Sequence, residues 1–250
     1  MEAVVVLKGV KKAFGNKRIY DALDLEVRKG ETLTVLGPSG VGKSVLLKLI
    51  IGLLRPDAGS VLVGGVDVAP MEEAELREVR RKVAMLFQGA ALFDSMSVGE
   101  NVAYGLHEHF RWPDEKVKAR VAECLEQVGM PGIESMRPAD LSGGMKKRVG
   151  LARALASGPE IILYDEPTTG LDPTNTRRIN ELIQSLQERL GVTSIVITHD
   201  MESALAVSDR IALLSGGKIA LTIDGNAAKS SPPPELERFM NGEEVDEQRP

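Results

Sequence analysis

The sequence predicts an α/β fold: a mostly parallel β-sheet covered by helices on both faces, with an antiparallel β edge and an inserted α-helical subdomain. Three observations lead there. Continuous apolar, β-rich runs, such as Ile161-Ile162-Leu163-Tyr164 and Ser194-Ile195-Val196-Ile197-Thr198, alternate with stretches of helical period. One such run, Thr32-Leu33-Thr34-Val35-Leu36, leads into the glycine-rich segment Gly37-Pro38-Ser39-Gly40-Val41-Gly42-Lys43-Ser44 and then into a helical run that begins at Val45. From about residue 89 to 160 the pattern is helical alone.

The elements follow in chain order. Residues 3–28 alternate in β fashion around a turn at Gly15-Asn16-Lys17. The strand, glycine loop and helix of residues 32–51 come next. Arg55-Pro56-Asp57-Ala58-Gly59 reads as a turn and Ser60-Val61-Leu62-Val63-Gly64 as a strand. Residues 72–81 read as a charged helix and Val83-Ala84-Met85-Leu86-Phe87 as a buried strand. Helices are expected at 98–106, 114–128 and 144–156, the subdomain insert, and at 175–190 between the last two strands. One domain is therefore expected over residues 1–225. A tail over 226–250 is expected to be partly disordered, since it holds Ser230-Ser231-Pro232-Pro233-Pro234 and the acidic Glu243-Glu244-Val245-Asp246-Glu247. It should carry one short helix at 235–240.

Composition narrows the function. The chain has 250 residues, 43% of them apolar, enough for one domain with a real core. Its net charge of −5 argues against nucleic acid as the main partner, because phosphate binding calls for excess Lys and Arg. Cys124 is the only cysteine, so an internal disulfide is excluded; in Val121-Ala122-Glu123-Cys124-Leu125 it reads as filler on an apolar helix face. His107 and His109 lack a third ligand, which argues against a metal site. The N-terminus has no basic n-region or long apolar h-region, and the longest apolar stretch, 45–54, is broken by Lys48. Membrane work is thus expected to pass through a partner.

The glycine-rich segment matches G-x-x-x-x-G-K-[ST], the phosphate-binding P-loop, in the strand–loop–helix context the motif needs. Glycines let backbone N–H groups curl around phosphate oxygens, and the helix start adds the positive end of its dipole. Gly37, Pro38, Ser39, Gly40, Val41, Gly42, Lys43, Ser44 and Val45 are therefore expected to hold ATP, with Lys43 reaching the β- and γ-phosphates and Ser44 ligating Mg²⁺. The strand ending Tyr164-Asp165-Glu166 supplies two acids. Asp165 suits a second Mg²⁺ contact, and Glu166 suits a general base that polarises the attacking water. Leu141-Ser142-Gly143-Gly144-Met145 precedes a helix, with Ser142 as N-cap and Gly143 and Gly144 exposing backbone donors, a second anion cradle. One γ-phosphate rarely needs two cradles. The economical inference is a homodimer in which each chain offers the Ser142 loop to the other's nucleotide.

In this order the motifs resemble the nucleotide-binding subunit of an ABC transporter, over residues 3 to about 225. The resemblance implies that Phe14 stacks on adenine, that Gln88 touches Mg²⁺ and the attacking water, that Asp172 in Gly170-Leu171-Asp172-Pro173 lies at the dimer seam, and that His199 contacts the γ-phosphate. The loop at 141–145 corresponds to the family's signature, which usually ends in glutamine. Met145 removes that amide but leaves the Ser142 hydroxyl and the glycine N–H groups.

With Lys146-Lys147-Arg148 following, the variant loop is similar to that of Mla/Mce-type lipid transport ATPases. So is the run Met85-Leu86-Phe87-Gln88-Gly89-Ala90-Ala91-Leu92-Phe93-Asp94-Ser95-Met96. The resemblance implies a motor that drives phospholipid movement through a separate integral membrane permease, gripped by a groove at Phe87, Leu92, Phe93 and Met96. It also implies a place on the cytoplasmic face of the inner membrane. A small regulatory subunit and an Mce-type lipid-binding protein are further partners it allows, with the tail as a reaching segment. Lys146-Lys147-Arg148 itself reads as a solvated helix face. Two other readings stay open on the same motifs: an ABC ATPase serving another solute, and one acting on nucleic acid or ribosomes.

Overall fold

The computed structural model describes residues 2–243. Strands β1 (Ala3–Phe14) and β2 (Lys17–Arg28) form an antiparallel hairpin. Strand β3 (Thr32–Leu36) leads to helix α1 (Lys43–Ile50), after which β4 (Ala58–Val63) returns to pair with β1 and the short β5 (Val66–Asp67) pairs with β4. Helix α2 (Glu73–Lys82) runs straight into β6 (Val83–Leu86). The helical subdomain is built from α3 (Val98–His109), α4 (Asp114–Gln127) and α5 (Gly143–Leu155). The chain returns through β7 (Ile161–Asp165), α6 (Pro173–Leu190), β8 (Thr193–Thr198), α7 (Met201–Val207), β9 (Arg210–Ser215) and β10 (Lys218–Asp224), and ends in α8 (Gly225–Ser230) and α9 (Pro234–Met240).

Among the described residues there are two sheets. The main one has the order β10-β9-β3-β8-β7-β6, and every neighbouring pair is parallel except β10 with β9. The expected antiparallel edge is present as β10, and the other antiparallel strands stand beside the main sheet. They form a separate sheet of order β2-β1-β4-β5. Its apolar face (Val5, Leu7, Leu25, Val61) shares one core with α1 and with Leu33, Leu163, Ile195 and Ile197 of the main sheet. Side chains alternate between faces along a strand, so Ile162, Tyr164 and Val196 enter a second core with the helical subdomain and α6. Burial on both faces is why β3, β7 and β8 are rich in aliphatic and β-branched residues with no alternation of buried and exposed positions.

Local signals set the helix ends. Ser97 and Glu100 form a reciprocal capping box on α3. Asp172 caps α6, Pro173 takes its first position, and Gly191 closes it in the left-handed region at φ 64°. Beyond the expected elements the structure has β5, α7, β9, β10 and α8. The packed unit also runs past the expected boundary at residue 225. The expected helix at 235–240 is α9, and Ala228 of α8 and Leu236 of α9 are buried with Leu36, Ile211 and Leu213. The acidic run from Glu244 onward lies outside the described residues. No helix among those described is long and apolar enough to cross a membrane.

Candidate functional site

The register of the parallel sheet assembles the site. Leu36 at the end of β3 pairs with Thr198 at the end of β8, and Asp165 at the end of β7 pairs with Ile197. Leu86 at the end of β6 pairs with Tyr164. The residues that follow these ends, namely Gly37, His199, Glu166 and Gln88, therefore emerge along one edge. Carboxyl ends of parallel strands are where α/β sheets bind ligands.

The P-loop is shaped by close backbone approach. A Cβ at Gly37 would lie 2.6 Å from the Leu214 carbonyl of β9, and Gly42 holds φ 115° with Ile19 Cγ2 2.6 Å from its would-be Cβ. The buried Tyr20 donates its hydroxyl to the Gly42 carbonyl at 2.6 Å, which braces the loop from β2. No side chain caps α1, so its leading N–H groups remain for an anion. Lys43 is buried, and its Nζ donates to the carbonyls of Gly37 (2.6 Å) and Pro38 (3.1 Å). Burial lowers its pKa, against the opposing pull of Glu166, 3.7 Å away.

Ser44 Oγ donates to Asp165 Oδ1 at 3.0 Å. Burial raises the Asp165 pKa above all, with the Ser44 hydrogen bond acting the other way. A hydroxyl and a carboxylate brought together as hard oxygen donors are what Mg²⁺ takes from protein when phosphates and water complete its shell, so the pair fits the expected ion. Glu166 is buried at φ 48°, in the left-handed region that non-glycine residues seldom occupy. Its Oε1 lies 3.0 Å from His199 Nδ1, and its Oε2 accepts from Thr169 Oγ1 (3.1 Å) and Thr198 Oγ1 (3.3 Å). Both carboxylate oxygens are thus aimed.

At the second cradle, Ser142 caps α5 by accepting from the Met145 N–H at 3.3 Å. Gly143 is exposed as expected, but Gly144 is buried: a Cβ there would come within 2.8 Å of Asn175 Oδ1. Asn175 Nδ2 in turn donates to Asp172 Oδ2 at 2.5 Å. Gly144 therefore also allows close packing of α5 on the start of α6. Lys147 departs from expectation. It is no solvated residue; it is buried, and its Nζ donates to the backbone carbonyls of Gln88 and Glu166, the latter at 3.1 Å. Spacing holds the only clue to it: at i+3 from Gly144, it shares the buried face of α5.

The model of the ABC transporter family matches residues 20–169. This chain belongs to the ABC transporter family. It is 41% identical over 229 residues to the intermembrane phospholipid transport system ATP-binding protein MlaF of Haemophilus influenzae, covering 92% of this chain and 87% of that one. It is 39% identical over 245 residues to the probable ribonucleotide transport ATP-binding protein mkl of Mycobacterium leprae, covering 98% and 71% respectively. Among solved structures it resembles the dimeric post-hydrolysis state of the ATP-binding cassette MJ0796 bound to ADP and Pi, with a TM-score of 0.81 and 33% identity over 88% of this chain and 98% of that one. The present cassette is an ATP-binding ATPase of that kind.

The loop after β6 lies on the helical side of the cassette. Phe93 is exposed and its ring sits 4.8 Å from that of Tyr104; Phe87 is also exposed. Leu92 does not join them: it is half-buried against the helical-subdomain core, and Met96 is half-buried beside Ser97. Sequence reasoning gave no role to Asn101, which organises this loop. It is fully buried; Oδ1 accepts from the Phe93 N–H (2.8 Å), and Nδ2 faces the carbonyls of Phe93 (3.1 Å), Met96 (3.3 Å) and Ser97 (3.0 Å). Cys124 is buried, and its thiol is pushed up to about 11 by burial, as inert filler should be.

The structure thus brings together the P-loop, Asp165, Glu166 and His199. Gln88 joins through its backbone, while its side chain is exposed. Phe14 is exposed at the end of β1, with Lys12 Nζ 5.4 Å from its ring centre. Ser142 and Asp172 stand apart, capping α5 and α6; among the described residues no hydrogen bond or ion pair joins either to the P-loop of its own chain.

Proposed function

We propose that this cassette is the motor of a lipid transporter, working as a head-to-tail homodimer with Mg²⁺ and docked on membrane permease subunits through the loop that carries Phe87 and Phe93. The observation that carries the ATPase half is the Glu166 carboxylate, aimed by His199, Thr169 and Thr198 beside Lys43. The similarity to the MlaF proteins supports the lipid half. The separation of Ser142 and Asp172 from their own P-loop supports the head-to-tail pairing, since a phosphate cradle that serves no site in its own chain is available to a second copy.

The residues perform distinct steps. A γ-phosphate entering the loop takes up the Lys43 ammonium now shared by the Gly37 and Pro38 carbonyls. Glu166 accepts the proton of the attacking water, and His199 and the two threonines hold the carboxylate in line. Ser44 and Asp165 would hold Mg²⁺, which would supply neutralising charge to the phosphates. Closing the pair seats each Ser142 loop on the partner's nucleotide, and opening after hydrolysis releases it.

The test is Glu166→Gln. It should bind ATP, hydrolyse about 10²–10⁴-fold more slowly, and accumulate as an ATP-dependent dimer on size exclusion; turnover at the wild-type rate would remove Glu166 from its role. The cargo is tested by gentle detergent extraction and tagged purification. A multi-pass permease with phospholipid supports the lipid reading. The similarity to the mkl proteins, probable ribonucleotide transport ATP-binding proteins, favours a second reading, a nucleotide or other soluble cargo, and a permease free of lipid but joined by a soluble-ligand receptor would establish that one.

A further inference from the structure

We propose that Lys147 is a positioning residue that links the Ser142 cradle to the hydrolytic residues of its own chain. The inference rests on the head-to-tail pairing proposed above.

Lys147 lies on α5, five residues after the cap Ser142, so the two sit about 7.5 Å apart along one rigid helix. Its side chain is 5% exposed. Packing alone does not call for a lysine here, because an apolar side chain of similar length fills such a space without the cost of desolvating an ammonium. The ammonium is instead spent on two carbonyls that lie beyond the strand ends, those of Gln88 and Glu166. Glu166 needs that support. Its left-handed conformation at φ 48° is strained and persists only where neighbours over-determine it. On one side its N–H donates to the Ile197 carbonyl at 2.9 Å; on the other its carbonyl accepts from Lys147.

The consequence is a mechanical link. A shift of α5 when Ser142 meets the partner's nucleotide carries Nζ with it, and Nζ carries the backbone of Gln88 and of the general base. Each site then reports on the nucleotide held across the dimer. Lys147 touches neither phosphate nor water in this scheme; it acts through the placement of Glu166 and Gln88.

The experiment compares steady-state ATP hydrolysis by the full chain as wild type, Lys147→Met and Lys147→Arg, with nucleotide affinity and thermal unfolding measured alongside. Lys147→Met is expected to lower kcat tenfold or more with KM for ATP within about twofold, and to bring the Hill coefficient for ATP down towards one. Lys147→Arg, which keeps the charge and the N–H donors, should recover most of the loss. An unchanged kcat in folded Lys147→Met overturns the proposal, and so does a loss that appears only in KM or that Lys147→Arg leaves untouched. Should Lys147→Met fail to fold, Lys147→Gln is read in its place: it keeps a donor on a shorter stem, so an intermediate kcat supports the link and a wild-type kcat removes it. The two inferences fail separately. If Glu166→Gln forms no ATP-dependent dimer, the pairing is wrong; if that dimer forms and Lys147→Met hydrolyses normally, only the role of Lys147 is lost.

Discussion

Replacing Asn101 by aspartate changes no heavy-atom position, yet it should be among the most damaging single substitutions away from the nucleotide. The Asn101 side chain is fully buried and accepts one hydrogen bond, from the Phe93 N–H at 2.8 Å. Its Nδ2 has two hydrogens to share among the carbonyls of Phe93, Met96 and Ser97, at 3.1, 3.3 and 3.0 Å. In Asn101→Asp the accepted bond survives. The two donated bonds are lost, at about 0.5–1.5 kcal/mol each, and a carboxylate oxygen is set against the carbonyls, leaving buried acceptors unpaired at about 1–3 kcal/mol. The expected sum is about 2–6 kcal/mol. Urea unfolding at pH 7 would read it as a lower midpoint at an unchanged slope. The sign with pH is also determined. The buried carboxyl is held above its unfolded pKa, so the folded variant binds the proton more tightly, and the protonated acid can donate again. The deficit should therefore shrink as the pH falls through that raised pKa. In membranes the variant should lose permease binding while its ATP affinity stays within about twofold, because the P-loop lies on the other core. A loss below about 0.5 kcal/mol, or a deficit that does not shrink in acid, would refute the account of the loop.

Two further outcomes follow from the site. Gly42→Ala places a methyl 2.6 Å from Ile19 Cγ2 at a φ of 115°, so it should lose about 1–3 kcal/mol and bind ATP at least tenfold more weakly in a fluorescence titration. Gly40→Ala, strained at φ 79° but in open space, is the control, and equal effects in the two would remove the steric argument. For Asp165, burial holds the folded carboxyl above its ordinary 3.8. The unfolded chain gives up that proton first, so stability without nucleotide falls as pH rises from about 4 through the raised value. Asp165→Asn should therefore lose hydrolysis yet melt above the wild type at pH 7, with the gap closing near pH 4; a variant less stable at pH 7 with the same pH slope would contradict the assigned cause.

Several residues explain why part of this molecule could be read without coordinates. Thr32–Leu36, Ile161–Asp165 and Thr193–Thr198 announce themselves because a strand buried on both faces is rich in aliphatic and β-branched residues and shows no polar–apolar alternation. The P-loop is legible because its glycines answer a local demand, backbone at positive φ in contact with neighbouring strands. Lys147 was misread for the opposite reason: its partners, the carbonyls of Gln88 and Glu166, are 59 and 19 residues away, and lysine is ordinarily a surface residue. Asn101 gave no signal because its four contacts go to backbone, which any sequence supplies. Helix α8, and the docking of the expected helix α9 beside it, escaped notice because their burial depends on single residues, Ala228 and Leu236, finding a groove beside Leu36.

The chain's own order of residues determined the α/β class, the nucleotide loop, the two acids after Tyr164 and the helical insert, since each rests on short-range periodicity or on local backbone chemistry. Only the tertiary structure decided the rest. It shows that the antiparallel strands β2, β1, β4 and β5 form their own sheet, that Gly144 packs closely against Asn175, and that Lys147 is an internal brace. It shows too that the register of β3, β8, β7 and β6 brings Lys43, His199, Glu166 and Gln88 to one edge. The reason is physical: which carbonyl a buried donor meets depends on how separate elements stack, and stacking is set by the sum of all core contacts rather than by any local pattern.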